Sequence, residues 1–351
     1  MRILQVSGSD SIGGAERIAH TLYRGYAERA HESWLAVEKK TRSDPHVLKI
    51  HQTDPAARLL SARPALENLY FRVSNRPFSQ FGFERRFAPS SSRISDLLEN
   101  PPDVLHMHNL HGWYFDLGAL PILSARLPVM LTLHDAWLLS GHCAHSFDCD
   151  RWLTGCGHCP DLTIYPAIKR DETRANWQWK RSIYQKSRLY IATPSQWLMD
   201  KVQRSMLQES TVEARVIPNG IDLAVFQPGD RQEARARLNL PQEMPIILFA
   251  ANGIRANPFK DYQVLRSALT LLGEKRRMLF LAIGEDAPAE QLEQAELRFI
   301  SPITDPREMA TYYQTADVYI HAARADTFPN TVIEAMACGA PVVASRVGGI
   351  L

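Results

Sequence analysis

Two carboxylates near the C-terminal end carry the most suggestive chemistry. Asp326 and Glu334 lie eight residues apart, on either side of Phe328-Pro329-Asn330. That triplet predicts a loop opening a helix over 331–338, with Asn330 as its N-cap. The first-turn N–H groups and the helix dipole favour an anion such as a diphosphate. A loop carboxylate and a helix carboxylate at this spacing can face one ligand. They accept hydrogen bonds from sugar or ribose hydroxyls without themselves reacting. The plainer alternative has Glu334 complementing the dipole and Asp326 solvated.

A second group of polar residues lies in the first half. Gly13-Gly14 follows a predicted strand over 3–6 and opens a predicted helix over about 15–30. It reads as a turn whose helix end serves a phosphate or an acceptor, or as a tight turn alone. His134 closes a predicted strand over 129–133, where it faces a site or bonds nearby backbone. His106, His108 and His111 end another strand. Their readings are a cleft lining, a metal site or a structural role.

Cys143, Cys149, Cys156 and Cys159 crowd one segment with an irregular pattern over 141–160. A Cys-x2-Cys knuckle plus two further thiols predicts one structural zinc, away from the carboxylate pair. Free thiols packing a loop and redox chemistry are the alternatives. A basic segment over 169–188 interleaves Trp177, Trp179 and Tyr184 with Lys and Arg, within a helix expected over 166–187. Its composition suits peripheral contact with anionic lipid, or a solvated helix whose aromatics pack on a sheet.

The elements that position these groups alternate. Strands are expected over 34–37, 104–108, 189–192 and 214–217, then over 246–250, 278–283, 318–321 and 342–344. Helices are expected over 196–207, 261–272 and 307–314. Alternation of this kind predicts α/β architecture with parallel sheets. The turn cluster Pro218-Asn219-Gly220-Ile221-Asp222 interrupts it. Two Rossmann-like domains are expected, at 1–222 and 223–351, with a ligand cleft between them.

At 351 residues and 39.7 kDa the chain has room for two domains. A net charge of +2 argues against wrapping nucleic acid. The N-terminal apolar run is too short for a signal peptide, and no stretch reads as a transmembrane helix. A cytoplasmic protein is expected, with any membrane contact peripheral, to the inner face of the plasma membrane. The loop Gly8-x4-Gly13-Gly14 is not Gly-x-Gly-x-x-Gly, which argues against a dehydrogenase.

The motifs together resemble glycosyltransferase family 4, whose members have a GT-B fold and retain anomeric configuration. Asp326-x7-Glu334 followed by Ala-Met-Ala-Cys-Gly-Ala-Pro-Val-Val-Ala resembles its donor motif, usually Glu-x7-Glu. Gly13-Gly14-Ala15-Glu16 resembles its glycine-rich loop, and Thr132-Leu133-His134-Asp135 its histidine-ended strand. Val216-Ile217-Pro218-Asn219-Gly220-Ile221-Asp222 resembles its interdomain signature. The resemblance implies transfer from a UDP- or GDP-linked sugar to a glycan or lipid-linked acceptor, in surface polysaccharide or lipopolysaccharide synthesis, with no catalytic metal.

By position, the resemblance implies that Glu334 holds the ribose hydroxyls and Asp326 the transferred sugar. Phe328, Pro329 and Asn330 offer backbone to sugar and phosphate. Arg255 and Lys260 match the basic pair for the diphosphate, and His134 sits near the sugar. Gly13, Gly14 and Glu16 line the substrate side. The family continues beyond Leu351, so the second domain is expected to be incomplete. The rival readings are a non-catalytic nucleotide-sugar-binding scaffold and a sugar-nucleotide epimerase.

Overall fold

The computed structural model describes residues 1–11, 13–53, 81–85, 88–112 and 114–350. The chain divides into two compact units, Met1–Pro218 and Asn219–Leu351. The sequence places the break at 222/223. Contacts place it earlier because Ile221, Val225 and Phe226 pack into the core of the second unit.

The first unit holds seven strands: β1 (Arg2–Ser9), β2 (Glu32–Lys39), β3 (Val47–Lys49), β4 (Val104–His108), β5 (Val129–Thr132), β6 (Leu189–Thr193) and β7 (Thr211–Val216). Their order is β3-β2-β1-β4-β5-β6-β7, with every pair parallel. The order reverses at β1 and β4. Ligands of open parallel sheets bind beyond the carboxyl ends of the strands at such a switch point. Leu4, Val6, Leu105, Met107, Val129, Leu131 and Ile191 fill the sheet's core, as expected of strands covered on both faces.

The first helix, Gly14–Glu28, starts at a glycine with φ of 100°. A Cβ on Gly13 would lie 2.1 Å from Glu16 Oε2, so the tight start of this helix requires glycine. The basic helix runs only over Thr173–Tyr184, shorter than the expected 166–187. Asp171 Oδ1 accepts from Thr173 N and Oγ1, a turn that holds the preceding residues out of the helix. The expected helices and loops over about 50–100 fall partly outside the described residues.

The second unit holds β8 (Ile246–Ala250), β9 (Met278–Ile283), β10 (Glu290–Leu292), β11 (Ala295–Ile300), β12 (Val318–His321) and β13 (Val342–Ala344). The order is β10-β11-β9-β8-β12-β13. All pairs are parallel except the β10–β11 hairpin at one edge. Two apolar clusters pack on this sheet, one around Leu248, Leu281, Tyr313 and Tyr319, the other around Phe249, Phe280 and Leu269. Among the described residues no helix is long and apolar enough to cross a membrane.

Candidate active site

In the second unit the predicted carboxylates lie beyond the carboxyl end of β12. The helix Asn330–Ala337 follows a loop whose last residue, Pro329, takes the cap position. Asn330 is therefore the first helical residue and not the N-cap predicted from sequence. Its side-chain oxygen instead accepts from Asn219 Nδ2 at 3.0 Å. Glu334 is the fifth of the eight residues of this helix, where its Oε2 accepts the Tyr313 hydroxyl at 2.8 Å. Tyr313 is fully buried, so the hydroxyl anchors a half-exposed carboxylate from below.

Asp326 is tied more firmly. Its Oδ2 accepts from Lys260 Nζ at 2.7 Å and from His321 Nε2 at 3.1 Å, and its Oδ1 from Phe328 N at 3.2 Å. Burial pushes this carboxyl upward. The His321 hydrogen bond and the Lys260 charge outweigh it and hold the pKa at about 2. Burial lowers His321, the buried last residue of β12. Gly349 N donates to Asp326 O at 3.0 Å, fixing the backbone as well.

The basic pair expected for a diphosphate does not stand free. Lys260 is paired with Asp326. Arg255 Nε donates to Glu285 Oε1, while Ile254 N and Arg255 N both donate to Glu285 Oε2 at 2.9 Å. The guanidinium also lies over the Phe299 ring, 5.3 Å from its centre. Backbone and side-chain hydrogen bonds from Arg255 hold Glu285 below its ordinary pKa. Glu285, His321 and Tyr313 escaped the sequence reading. Tyr313 and Glu285 reach their partners across 21 and 30 residues of sequence, and His321, five residues before Asp326, reads from sequence only as a strand end.

In the first unit His108, the last residue of β4, and His134, just after β5, form a hydrogen-bonded chain with Gln5. Gln5 orients its amide so that the oxygen accepts from Tyr23 N at 2.7 Å, and its nitrogen donates to Ala19 O and to His108 Nε2 at 3.1 Å. His108 Nδ1 then carries the proton and donates to His134 Nε2 at 3.0 Å. That assignment leaves the proton of neutral His134 on Nδ1, as a donor. Burial keeps these rings neutral: His106 falls to about 3, His134 to about 4, and His108 well below its ordinary value. His106 Nε2 bonds Thr132 Oγ1 at 2.7 Å. Gly13, Gly14 and Glu16 lie at the start of the first helix, where the Glu16 carboxylate folds over Gly13. Burial raises its pKa.

The four clustered cysteines line one small cavity with His142, Arg151 and Trp152. They are free thiols. Among the described residues no group of three or more His, Cys, Asp or Glu is arranged to hold a metal ion, so the expected zinc site is not formed. The thiols are engaged otherwise. Cys156 Sγ accepts from Gly141 N at 3.3 Å, and Cys159 Sγ pairs with His142 Nε2 at 3.3 Å. Burial raises Cys143 to about 11 and Cys156 to about 12.

Two aromatic residues of the basic helix, Trp177 and Tyr184, face inward, while Trp179 is partly exposed. Trp177 Nε1 donates to Trp152 O and the Tyr184 hydroxyl to Leu138 O, both at 2.8 Å and both buried. Trp177 and Tyr184 thus pack as the alternative of a solvated helix with its aromatics on a sheet expects.

Two parallel Rossmann-like sheets, each with polar groups at its carboxyl ends, define the GT-B class of glycosyltransferases. The comparisons agree. The Glycosyltransferase Family 4 pattern matches residues 12–225, and a Glycosyl transferases group 1 pattern matches residues 244–351. The chain belongs to glycosyltransferase family 4.

Among its relatives is a putative colanic acid biosynthesis glycosyl transferase, WcaC, of Escherichia coli (strain K12). It is 27% identical over 256 residues, covering 70% of this chain and 60% of that protein. D-inositol 3-phosphate glycosyltransferase 1 of Catenulispora acidiphila is 36% identical over 149 residues, 37% of this chain and 35% of that protein. The chain thus spans less than two thirds of these curated relatives. Among solved structures, sucrose-phosphate synthase from Thermosynechococcus elongatus matches with a TM-score of 0.60 at 19% identity, covering 99% of this chain and 82% of the other. The Anabaena protein HepE in complex with UDP-glucose matches at 0.55 and 16%, covering 99% and 81%. These two establish likeness of fold.

Proposed function

We propose that the chain transfers a sugar from a UDP- or GDP-linked donor to a glycan or lipid-linked acceptor in surface polysaccharide synthesis, lipopolysaccharide included, with retention of configuration. The observation that carries this reading is the pair Asp326 and Glu334, each anchored on one side and carried on a loop and the helix it opens. Family membership supports it. So do the colanic acid relative and the fold neighbour captured with UDP-glucose.

In this reading Glu334 accepts the ribose hydroxyls and Asp326 a hydroxyl of the transferred sugar. Phe328, Pro329 and Asn330 present backbone to sugar and phosphate, and Arg255 and Lys260 face the diphosphate. Negative charge grows on that diphosphate as the glycosidic bond breaks, and fixed cations and N–H groups stabilise it more than the ground state. The ion pairs of Arg255 and Lys260 hold these cations in place before the donor arrives. His134, a neutral Nδ1 donor, suits a sugar hydroxyl. In this division Asn219–Leu351 is the donor unit and Met1–Pro218 the acceptor unit.

The test is nucleotide release that depends on added acceptor, with the product anomer read by proton NMR. Release without acceptor dependence would favour an epimerase or hydrolase, and binding without release a scaffold. Contact with anionic lipid would rest on exposed cations alone, such as Lys169, Arg170, Arg174 and Lys186. Salt-sensitive sedimentation with anionic but not neutral vesicles is its test.

A further inference from the structure

One ionisable pair beyond the first unit's sheet has no part in the reading above. His111 follows β4 and Asp135 follows β5. His111 Nε2 donates to Asp135 Oδ2 at 2.8 Å, and Asp135 Oδ1 accepts from Trp137 N at 2.9 Å. The Trp137 ring meets His111 edge-on at 5.7 Å. A carboxylate that fixes Nε2–H leaves the lone pair of neutral His111 on Nδ1. That atom lies 3.4 Å from the hydroxyl of Tyr165, a residue half exposed to solvent. The side chains of His111 and Asp135 keep 12% and 20% of their exposure, so the pair is largely buried with an edge in reach of solvent. Glu16, on the first helix, interacts with both.

We propose that His111, Asp135 and Glu16 form a binding site for the hydroxyls of a neutral, polyhydroxylated acceptor, in which His111 Nδ1 accepts a ligand O–H where it now meets Tyr165. The word acceptor rests on the transferase reading; the site itself does not. Carboxylates and an imidazole lone pair accept from hydroxyls, which sugars supply in number. The same two carboxylates repel a phosphate placed among them, and Glu16 already covers the helix start that would otherwise attract one. Asp135 is a positioning residue that acts through the tautomer of His111.

The charged groups that act on His111 are Asp135, Glu16 and Glu84, with His134 nearby. Burial lowers His111, but the three carboxylates outweigh it and raise its pKa above 6.5. Below that raised value Nδ1 is protonated and cannot accept. Binding of a neutral sugar is therefore full at mildly alkaline pH and weakens as the pH falls through it.

The experiment uses the whole chain labelled with nitrogen-15 histidine, with the His111 signals assigned by their loss in His111→Gln. Methyl hexosides and the matching hexose 6-phosphates are titrated at mildly alkaline pH. A methyl hexoside should shift Nδ1, and its phosphate should need at least about tenfold more ligand. Asp135→Asn should change the nitrogen shifts to those of the other tautomer and abolish the response. No response to any methyl hexoside, or equal response to the phosphates, overturns the proposal. Calorimetry with UDP and GDP on the same samples separates the two readings. A donor that binds beside a silent His111 sinks this inference alone, whereas absent nucleotide binding sinks the transferase reading.

Discussion

Asp326 is held as a carboxylate by two basic neighbours, and its response to acid follows. Its folded pKa is depressed from 3.8 to about 2, so its contribution is present above the unfolded value and lost as the pH falls through about 2. A shift of that size corresponds to about 2 kcal/mol. Asp326→Asn should therefore be less stable than the parent at neutral pH by about that amount, and the two should converge near the acid end. Denaturant melts across that range check it, and a gap that stays constant with pH would show that the ion pair is not the cause. At this scale the sequence exposed the candidate site residues and hid their supports. Asp326, Glu334, Gly13 and His134 were legible because short motifs carry them. The partners Tyr313 and Glu285 come from other elements that only the folded sheet brings near, and His321, five residues before Asp326, carries no motif beyond its strand end.

Elements show the same division. Strands buried on both faces, such as β4, β8 and β9, announce themselves as apolar runs, and the helix after Asp326 announces itself by Pro and Asn. The short β3 and the β10–β11 hairpin were missed, since three-residue and edge strands leave little pattern. The loop that carries Asp326 depends on such a quiet position. Gly348 has φ of 56°, and a Cβ there would lie 1.9 Å from Asp326 O. Gly348→Ala should therefore push the loop away from Lys260. We expect a stability loss of about 1–3 kcal/mol together with weaker nucleotide-sugar binding. Thermal melts and calorimetry would measure both. Unchanged affinity would mean that the Gly348 contact does not set the position of Asp326.

Across the whole molecule, stability and function make separate demands on the same charged residue types. Lys180 is fully buried, ion-paired with Glu84 Oε2 at 2.7 Å, and bonded to Trp137 O and Ser140 O. No sequence pattern marks this pair, because a lysine in a basic helix reads as solvated. Lys180→Met leaves Glu84 buried and unpaired, and should cost about 3–5 kcal/mol. Lys180→Met with Glu84→Leu should recover much of that in urea melts, whereas a double variant as unstable as the single would assign the loss to packing. These residues belong to the first unit, and the central claim concerns the second, Asn219–Leu351. The most direct test of that claim is calorimetry of Glu334→Ala in a Tyr313→Phe background, which leaves no buried hydroxyl without its partner. Two charge-assisted bonds at roughly 1.5–3 kcal/mol each amount to about 3–6 kcal/mol. We therefore predict that the variant stays folded and binds UDP or GDP, whichever the Tyr313→Phe parent takes, about two to four powers of ten more weakly. Binding as tight as that of the Tyr313→Phe parent would contradict the assignment of Glu334 to the ribose, and with it the donor site proposed for this chain.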